Sequence, residues 1–404
     1  MAAMDAASSS KREKPRNDFA DIAIVVACAL AILSTALFLT VMSFDRHLAG
    51  GRDFVVYWAT GQQLAHHANP FDPAAMGQLE RAAGYSGKGS FFMRNPPWSL
   101  LLTLPLGYFS APLAALPWSL LLLALLVLEV RVIWGVFGRP RAPLEWLGYC
   151  FPPALVCATM GQTSLFVLLG LVLFLRLYRI QPFWAGAALW FCTLKPHLFV
   201  PFGLVLLVWI VLGRHYRIIV GLVAALAVSC AATLAVDPAA FRQYLAWAQA
   251  SGISQEFLPC IGVALRNWVN PQARWLAFVP CIIGCIWGLA WFWRKRAVWS
   301  WLDHGHLLML VSILVAPYAF FYDQSLALPA LLCAAVRTES RRLLAVLGLI
   351  CILLEIQPLY AAGPETAAYL WTAPAWLAWY LLARHTEKAT GAPVPSVAAA
   401  AAAP

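Results

Sequence analysis

Long apolar runs recur along almost the whole of this chain, from Ile22 to Leu382. Many of them approach the roughly 20 residues that an α-helix needs to cross the hydrocarbon core of a bilayer. Hydrophobic residues fill 62% of the positions and charged residues only 11%, which is too little charge to cover a soluble protein of this length. Because backbone groups inside lipid must be paired within their own segment, we predict an all-α, polytopic membrane protein.

The basic residues lie in small clusters at the ends of the apolar runs, and this placement predicts membrane orientation. One cluster covers residues 11–16 and a later one covers residues 294–296. Cytoplasmic loops of membrane proteins carry an excess of Lys and Arg. We therefore expect about twelve transmembrane helices, both termini in the cytoplasm and a location in the cell (plasma) membrane. The net charge of +10 is dispersed along the chain, so nucleic acid is not an expected partner.

The chain divides into one transmembrane body and two ends of different composition. Residues 1–20 are polar and residues 387–404 are rich in Ala and Pro, and both are expected to be disordered cytoplasmic tails. Residues 21–386 are expected to form the transmembrane domain. Its first extracytoplasmic loop is placed at residues 45–95 and its second at residues 237–274.

Two segments are expected to depart from simple spanning helices. Residues 96–137 are longer than one crossing requires. We expect Pro105, Pro112 and Pro117 to break this stretch into a broken or re-entrant piece followed by one full span. In the second loop, the amphipathic stretch from Phe241 to Trp247 favours a helix lying at the membrane surface.

Asp53, just after the first apolar run, is the strongest candidate for chemistry. Aromatic residues follow it, including Tyr57 and Trp58. A charged group at a bilayer surface is costly to keep there and is often functional. We interpret Asp53 as a catalytic base and Tyr57 as a candidate for contacting its substrate. The alternatives for Asp53 are a solvated loop acid and a helix N-cap, whereas Asp72, in Asn-Pro-Phe-Asp-Pro, is interpreted as a turn residue.

Further polar breaks between apolar runs are expected at the same membrane surface as Asp53. They contain these candidates: Gln162, Lys195, His197, Tyr322 and Asp323. Lys195 interrupts an apolar run, so its ammonium must either meet an anion or snorkel to the interface. Gln162 could bind sugar hydroxyls or satisfy backbone groups, and Asp323 could contact a ligand or anchor a helix.

The candidates are assigned to two parts of a substrate. Lys195, Arg94 and His197 are candidates for binding a phosphate by charge-assisted hydrogen bonds. Arg94 precedes a Pro-Pro pair, which fits a solvated residue before a helix equally well. Gln162, Tyr322 and Asp323 are candidates for contacting a sugar or an acceptor.

Metal and nucleotide sites are not expected in this sequence. His66 and His67 have no companions at ligand spacing, and the ten cysteines lie mostly inside apolar runs, as small packing residues do. Glycine patterns that cradle the phosphates of nucleotides are also missing. We therefore expect no cofactor, no metal and a donor carried by the membrane.

The order of the polar motifs resembles that of one known family. The motifs are Gly-x-Asp-Phe-x-x-Tyr at residues 51–57, Asn-Pro-Phe-Asp-Pro at 69–73, Gly-Gln-Thr at 161–163, Leu-Lys-Pro-His at 194–197 and Pro-Tyr-x-x-x-Tyr-Asp at 317–323. Over about residues 20–385 the chain resembles glycosyltransferase family 87, the polyprenyl-phosphate-mannose-dependent α-mannosyltransferases of the GT-C fold. The resemblance therefore implies a GT-C-type helical bundle with a long first extracytoplasmic loop.

The resemblance implies a membrane glycosyltransferase. It would move a hexose, with mannose as the expected sugar, from a polyprenyl-phosphate-linked donor to a lipid or glycan acceptor, with inversion, on the extracytoplasmic face. Asp53 matches the family's first-loop aspartate, and Lys195 lies in its Lys-Pro segment near the donor phosphate. Tyr322 and Asp323 stand where characterised members often carry His. A multi-pass transporter or lipid flippase of cell-envelope precursors is the main alternative, and a non-catalytic membrane scaffold is a third.

Overall fold

The computed structural model describes residues 18–44, 53–87, 91–138, 142–250, 258–338, 340–357 and 366–390. Regular structure in these ranges is entirely helical, which confirms the predicted all-α class. The stretch at residues 45–52, just before Asp53, lies outside the described residues. So do residues 1–17 and 391–404, which make up most of the two predicted tails.

The α-helices follow one another with short connections. In the first half they are α1 (Asp18–Phe44), α2 (Phe54–Ala65), α3 (Pro73–Ala82), α4 (Ala111–Val136), α5 (Trp146–Tyr149), α6 (Pro152–Met160), α7 (Ser164–Leu177) and α8 (Pro182–Cys192). In the second half they are α9 (Val200–Gly213), α10 (Tyr216–Val236), α11 (Ala240–Ala250), α12 (Ile261–Val269), α13 (Val279–Lys295), α14 (Gly305–Leu314), α15 (Leu328–Arg337), α16 (Arg341–Ile356) and α17 (Thr372–Thr390). Short 3₁₀ helices precede several of them.

Four helical segments of the described chain are long and apolar enough to cross a membrane. They are Ala111–Val136, Pro196–Gly213, Tyr216–Val236 and Arg274–Val298. Helices α7, α8 and α14 are apolar but shorter than a crossing requires. Polar turns adjoin these short helices, so some of the stretches predicted as spans consist of two short helices. The figure of about twelve crossings stays a prediction.

Both irregular segments predicted from the sequence are present. Two 3₁₀ helices, Pro97–Leu102 and Leu104–Tyr108, precede the long helix α4, which confirms the broken piece. Helix α4 is long and apolar enough to be the single span that follows it. The prediction is wrong for Pro117, which lies inside α4 without ending it. Within a membrane helix the loss of one backbone hydrogen bond at Pro is tolerated when neighbouring groups compensate. The helix predicted in the second loop is α11.

Helix α2, which follows Asp53, is held against the 3₁₀ helix Leu104–Tyr108 by a close backbone approach. A Cβ added at Gly61 would lie 2.8 Å from the backbone nitrogen of Gly107, so only glycine fits there. Nearby, the indole N–H of Trp58 donates to the carbonyl of Phe109 at 2.9 Å. These contacts fix α2, and therefore its first residues, against the segment that enters the membrane.

Helix α8 packs antiparallel on α7, and this arrangement brings two distant polar segments to one end of the pair. The helices approach closely, because a Cβ added at Gly170 in α7 would lie 2.8 Å from the carbonyl oxygen of Ala188 in α8. Helix α7 begins at Ser164 and α8 ends three residues before Lys195. The start of α7 and the end of α8 therefore face the same side.

We expect Gly61→Ala to lower the free energy of unfolding by about 1–3 kcal/mol, because overpacking forces the two backbones apart. The thermal midpoint of the purified protein in detergent measures this effect. Gly203→Ala is the matched control, since a Cβ at Gly203 meets nothing within 4 Å. An equal loss in both variants would contradict a specific close approach of α2.

Candidate active site at the turn before α7

Residues 161–164, which we call the polar turn, form the centre of the candidate site. Gly161 ends α6 in the left-handed conformation with φ of 77°, and its carbonyl accepts the indole N–H of Trp118 at 2.8 Å. A Cβ added at Gly161 would lie 2.6 Å from the Cβ of Phe54, the residue that follows Asp53. The absence of a side chain at Gly161 therefore lets the start of α2 pack directly on the polar turn.

Gln162 links Asp53 to two buried side chains. Its Nε2 donates to Asp53 Oδ2 at 2.8 Å. Its Oε1 accepts from the hydroxyl of Tyr57 at 2.8 Å and from Lys195 Nζ at 3.3 Å. Tyr57 and Lys195 are buried, whereas Asp53 is half-buried. The carboxylate of Asp53 is thus the more accessible end of this network.

The alternative interpretation of Asp53 as a helix N-cap is wrong. Asp53 occupies the N-cap position of α2, but its side chain makes no capping hydrogen bond to that helix. Asp72 behaves differently, because its Oδ1 accepts from the backbone N–H groups of Ala74 and Ala75 at 2.9 and 3.4 Å. The interpretation of Asp72 as a turn residue is confirmed. Of Asp53 and Asp72, only Asp72 caps the helix that follows it.

Lys195 and Asp323 form a buried ion pair. The distance from Nζ to Oδ1 is 2.7 Å, and the side chains are only 10% and 1% exposed. Ser164 Oγ donates to the same Oδ1 at 2.7 Å, and the backbone N–H of Phe320 donates to Oδ2 at 2.9 Å. The snorkelling alternative for Lys195 is therefore wrong, because the ammonium meets an acid inside the protein.

Acceptors surround the ammonium of Lys195 on several sides. Its Nζ donates to Gln162 Oε1, Ser164 Oγ and Asp323 Oδ1, at 3.3, 2.9 and 2.7 Å. Three acceptors match the three N–H groups of an ammonium. The face of the Tyr322 ring lies 4.8 Å away and adds a cation–π contact. A phosphate oxygen would have to replace one of these acceptors to reach Lys195.

Arg94 and His197 take no part in the hydrogen bonds described above. The ring of His197 stacks on Tyr318 with the centroids 3.7 Å apart. Arg94 is exposed, and its positive charge partly opposes the burial that raises the pKa of Tyr318. Asn95 donates to Thr163 Oγ1 at 3.3 Å and so anchors the segment on the polar turn.

Three members of the network were not among the residues predicted from the sequence: Asn95, Thr163 and Ser164. Thr163 and Ser164 directly follow Gln162, so an uninterrupted polar triplet between two apolar runs was the available signal. Ser and Thr also commonly begin helices, and that ordinary role hid their contacts with other segments. The sequence offered no comparable signal for Asn95, whose partner lies 68 residues further along the chain.

The fold and the site together define a membrane protein whose helices enclose a polar network with one accessible carboxylate. The model of glycosyltransferase family 87 matches residues 92–317, more than half of the chain, and this stretch includes Gln162 and Lys195. The chain belongs to glycosyltransferase family 87. It matches no curated protein and no solved structure. The family makes it a membrane glycosyltransferase and favours the enzyme over the transporter, flippase and scaffold alternatives.

We expect Lys195→Met to lower the free energy of unfolding by about 3–5 kcal/mol, because it leaves the Asp323 carboxylate buried without its cation. Adding Asp323→Leu should recover part of the loss, since neither charge then remains. Thermal midpoints in detergent compare the single and double variants. If the double variant loses as much stability as the two single variants lose together, the result would argue against the ion pair.

Glu80 ties the first loop to the segment that carries Arg94. Its carboxylate is fully buried, and Oε2 accepts the backbone N–H of Phe91 at 2.9 Å. Burial raises the pKa of Glu80 to about 7, although that hydrogen bond opposes the shift. Between the pKa of this acid in the unfolded chain and its higher pKa in the native state, the native state binds more protons than the unfolded state. The fold therefore loses stability as the pH rises through that interval.

We therefore expect the thermal midpoint of the wild-type protein to fall as the pH is raised from about 5 to 8. Glu80→Gln should flatten this dependence, because the amide does not ionise and keeps an oxygen for the N–H of Phe91. Unfolding followed across a pH series in one detergent provides the measurement. Parallel curves for the two proteins would show that Glu80 is not the titrating group.

Proposed function

We propose that this protein transfers a hexose, with mannose as the expected sugar, from a polyprenyl-phosphate donor to a lipid or glycan acceptor. Membership of glycosyltransferase family 87 supports sugar transfer, and the motif resemblance favours mannose and the polyprenyl carrier. The observation that carries the proposal is the half-buried carboxylate of Asp53, held by Gln162 beside the buried pair of Lys195 and Asp323.

The proposed orientation places the reaction on the extracytoplasmic face of the cell membrane. It rests on the basic clusters, which favour cytoplasmic termini, and on the apolar runs, which predict about twelve crossings. Asp53 stands nine residues after the end of α1, and a helix starting in the cytoplasm would lead to the extracytoplasmic side. A donor whose polyprenyl chain lies in the bilayer presents its phosphate and sugar at that same surface.

Asp53 is the proposed general base. Its Oδ2 already accepts from Gln162, and the carboxylate meets the hydroxyl of the acceptor from its accessible side. As the acceptor oxygen attacks the anomeric carbon, its proton passes to Asp53. The bond from that carbon to the phosphate oxygen breaks, and its electron pair leaves with the polyprenyl phosphate. A single displacement of this kind inverts the configuration at the anomeric carbon.

The donor phosphate is proposed to lie on the side of Arg94 and His197. Arg94 is exposed and can form charge-assisted hydrogen bonds with a phosphate. His197 is half-buried and fixed by its stacking on Tyr318. Lys195 can join them if a phosphate oxygen replaces an acceptor, and Gln162 Oε1, at 3.3 Å, is the most distant of its three.

The proposed sugar and acceptor contacts are Tyr57, Gln162, Tyr322 and Asp323. In the structure the polar atoms of Tyr57, Gln162 and Asp323 bond to other protein groups. A sugar hydroxyl would reach them by exchanging with one of these internal partners. Tyr322 presents its ring face to Lys195 and closes the buried side of the site.

We expect Asp53→Asn to abolish sugar transfer, because an amide cannot accept the proton of the acceptor hydroxyl. The assay mixes purified protein with radiolabelled polyprenyl phosphate mannose and membrane lipids, and it follows label that moves to a new product. Asp72→Asn is the matched control in the same loop, since Asn caps a helix as well as Asp does. Undiminished transfer by Asp53→Asn would overturn the role of this residue.

A further inference from the structure

The oxygen and the nitrogen of the Gln162 side-chain amide face groups of opposite kinds. Oε1 accepts from the Tyr57 hydroxyl, from Lys195 Nζ and, at 3.4 Å, from the backbone N–H of Thr163. Nε2 donates to Asp53 Oδ2 at 2.8 Å. The side chain is therefore already engaged at both ends by the protein.

Only one orientation of this amide is compatible with its neighbours. An ammonium and a backbone N–H can only donate hydrogen bonds, and an ionised carboxylate can only accept them. If the amide were turned by 180°, its NH₂ group would face the donors of Lys195 and Thr163, and its oxygen would face the carboxylate of Asp53. Lys195 thus determines which end of Gln162 meets Asp53.

Lys195 is itself held by contacts other than the one to Gln162. Asp323 Oδ1 lies 2.7 Å from its Nζ, and Ser164 Oγ lies 2.9 Å from it. Ser164 also donates to the same Asp323 oxygen at 2.7 Å, so these three side chains form a closed triangle of hydrogen bonds. All three are buried. The oxygen of Gln162 therefore meets a donor that has little freedom to move.

We propose that Gln162 is the positioning residue of the proposed base, and that the buried pair of Lys195 and Asp323 acts on Asp53 through it. This inference rests on the proposed function, because it concerns the proton transfer at Asp53. It changes the role assigned to Gln162 from contacting the sugar to orienting the base. The chain of contacts runs from Asp323 through Lys195 and Gln162 to Asp53.

The chemical consequence is a carboxylate whose Oδ2 is held in place. The donated N–H holds Asp53 Oδ2 and favours the ionised form of the carboxylate, which is the form that accepts a proton. Loss of this bond should leave binding of the substrates largely intact but disturb the geometry of proton transfer. A misplacement of about 1 Å in a catalytic group can lower the rate by about 100-fold.

Gln162→Glu is the most informative variant because it keeps the shape of the side chain and an oxygen for Tyr57 and Lys195. Its second oxygen would face Asp53, and two carboxylates sharing one site raise the pKa of one of them. We expect the acidic limb of the pH–kcat profile to move upward by at least about one pH unit. The profile is measured with radiolabelled polyprenyl phosphate mannose and octyl α-mannoside or membrane lipids as acceptors.

Gln162→Leu separates positioning from sugar binding. A positioning role predicts a kcat lower by about 10- to 100-fold with KM for both substrates changed less than about threefold. A sugar contact predicts a raised KM at nearly constant kcat. Gln272→Leu, at an exposed site outside the network, is the control and should keep wild-type kinetics. Thermal midpoints of all variants establish that each of them is folded.

The outcomes distinguish this inference from the proposed function. If wild-type protein transfers no sugar to any of these acceptors, the proposed function itself fails. If the wild type is active and Asp53→Asn is not, but Gln162→Glu keeps the wild-type pH profile, only the positioning role is overturned. A rise in KM alone for Gln162→Leu would also overturn it, in favour of a sugar contact. An upward shift of the acidic limb together with a lower kcat supports it.

Discussion

The ion pair between Lys195 and Asp323 is the interaction on which the site depends. Charges removed from water are costly unless partners of opposite charge and further hydrogen bonds satisfy them. Here the pair joins the end of α8 to the 3₁₀ helix Phe321–Ala327, and Ser164 of the polar turn bonds to both charges. Three segments far apart in the chain are therefore tied together at one point.

From this buried pair the network leads outward to an accessible acid. Gln162 accepts from Lys195 and donates to Asp53, so the most buried charges and the candidate base belong to one hydrogen-bonded chain. The proposed reaction needs a base for the acceptor, and cations would stabilise its leaving phosphate. Asp53 lies half-buried at the accessible end of the network, and Arg94 is exposed next to Asn95, which bonds to the polar turn.

The sequence predicted the local structure correctly where neighbouring residues alone determine it. The turn role of Asp72 follows from its own proline-flanked motif, and the broken piece before α4 follows from proline geometry. Predictions from local sequence failed where contacts with distant residues determine the structure. Pro117 does not end its helix, and Asp53 stands at an N-cap without capping, because its carboxylate is engaged by a residue 109 positions away.

The sequence by itself determined that the chain is helical and membrane-embedded, because apolar composition and the need to pair backbone groups in lipid leave few other folds. It also singled out Asp53 and Lys195, since charges among apolar residues require a reason. Only the tertiary structure decided which groups meet. The antiparallel packing of α7 on α8 brings Lys195 to the polar turn, and hydrogen-bond geometry then fixes the order of contacts. Such pairings depend on the positions of whole helices, which no local pattern encodes.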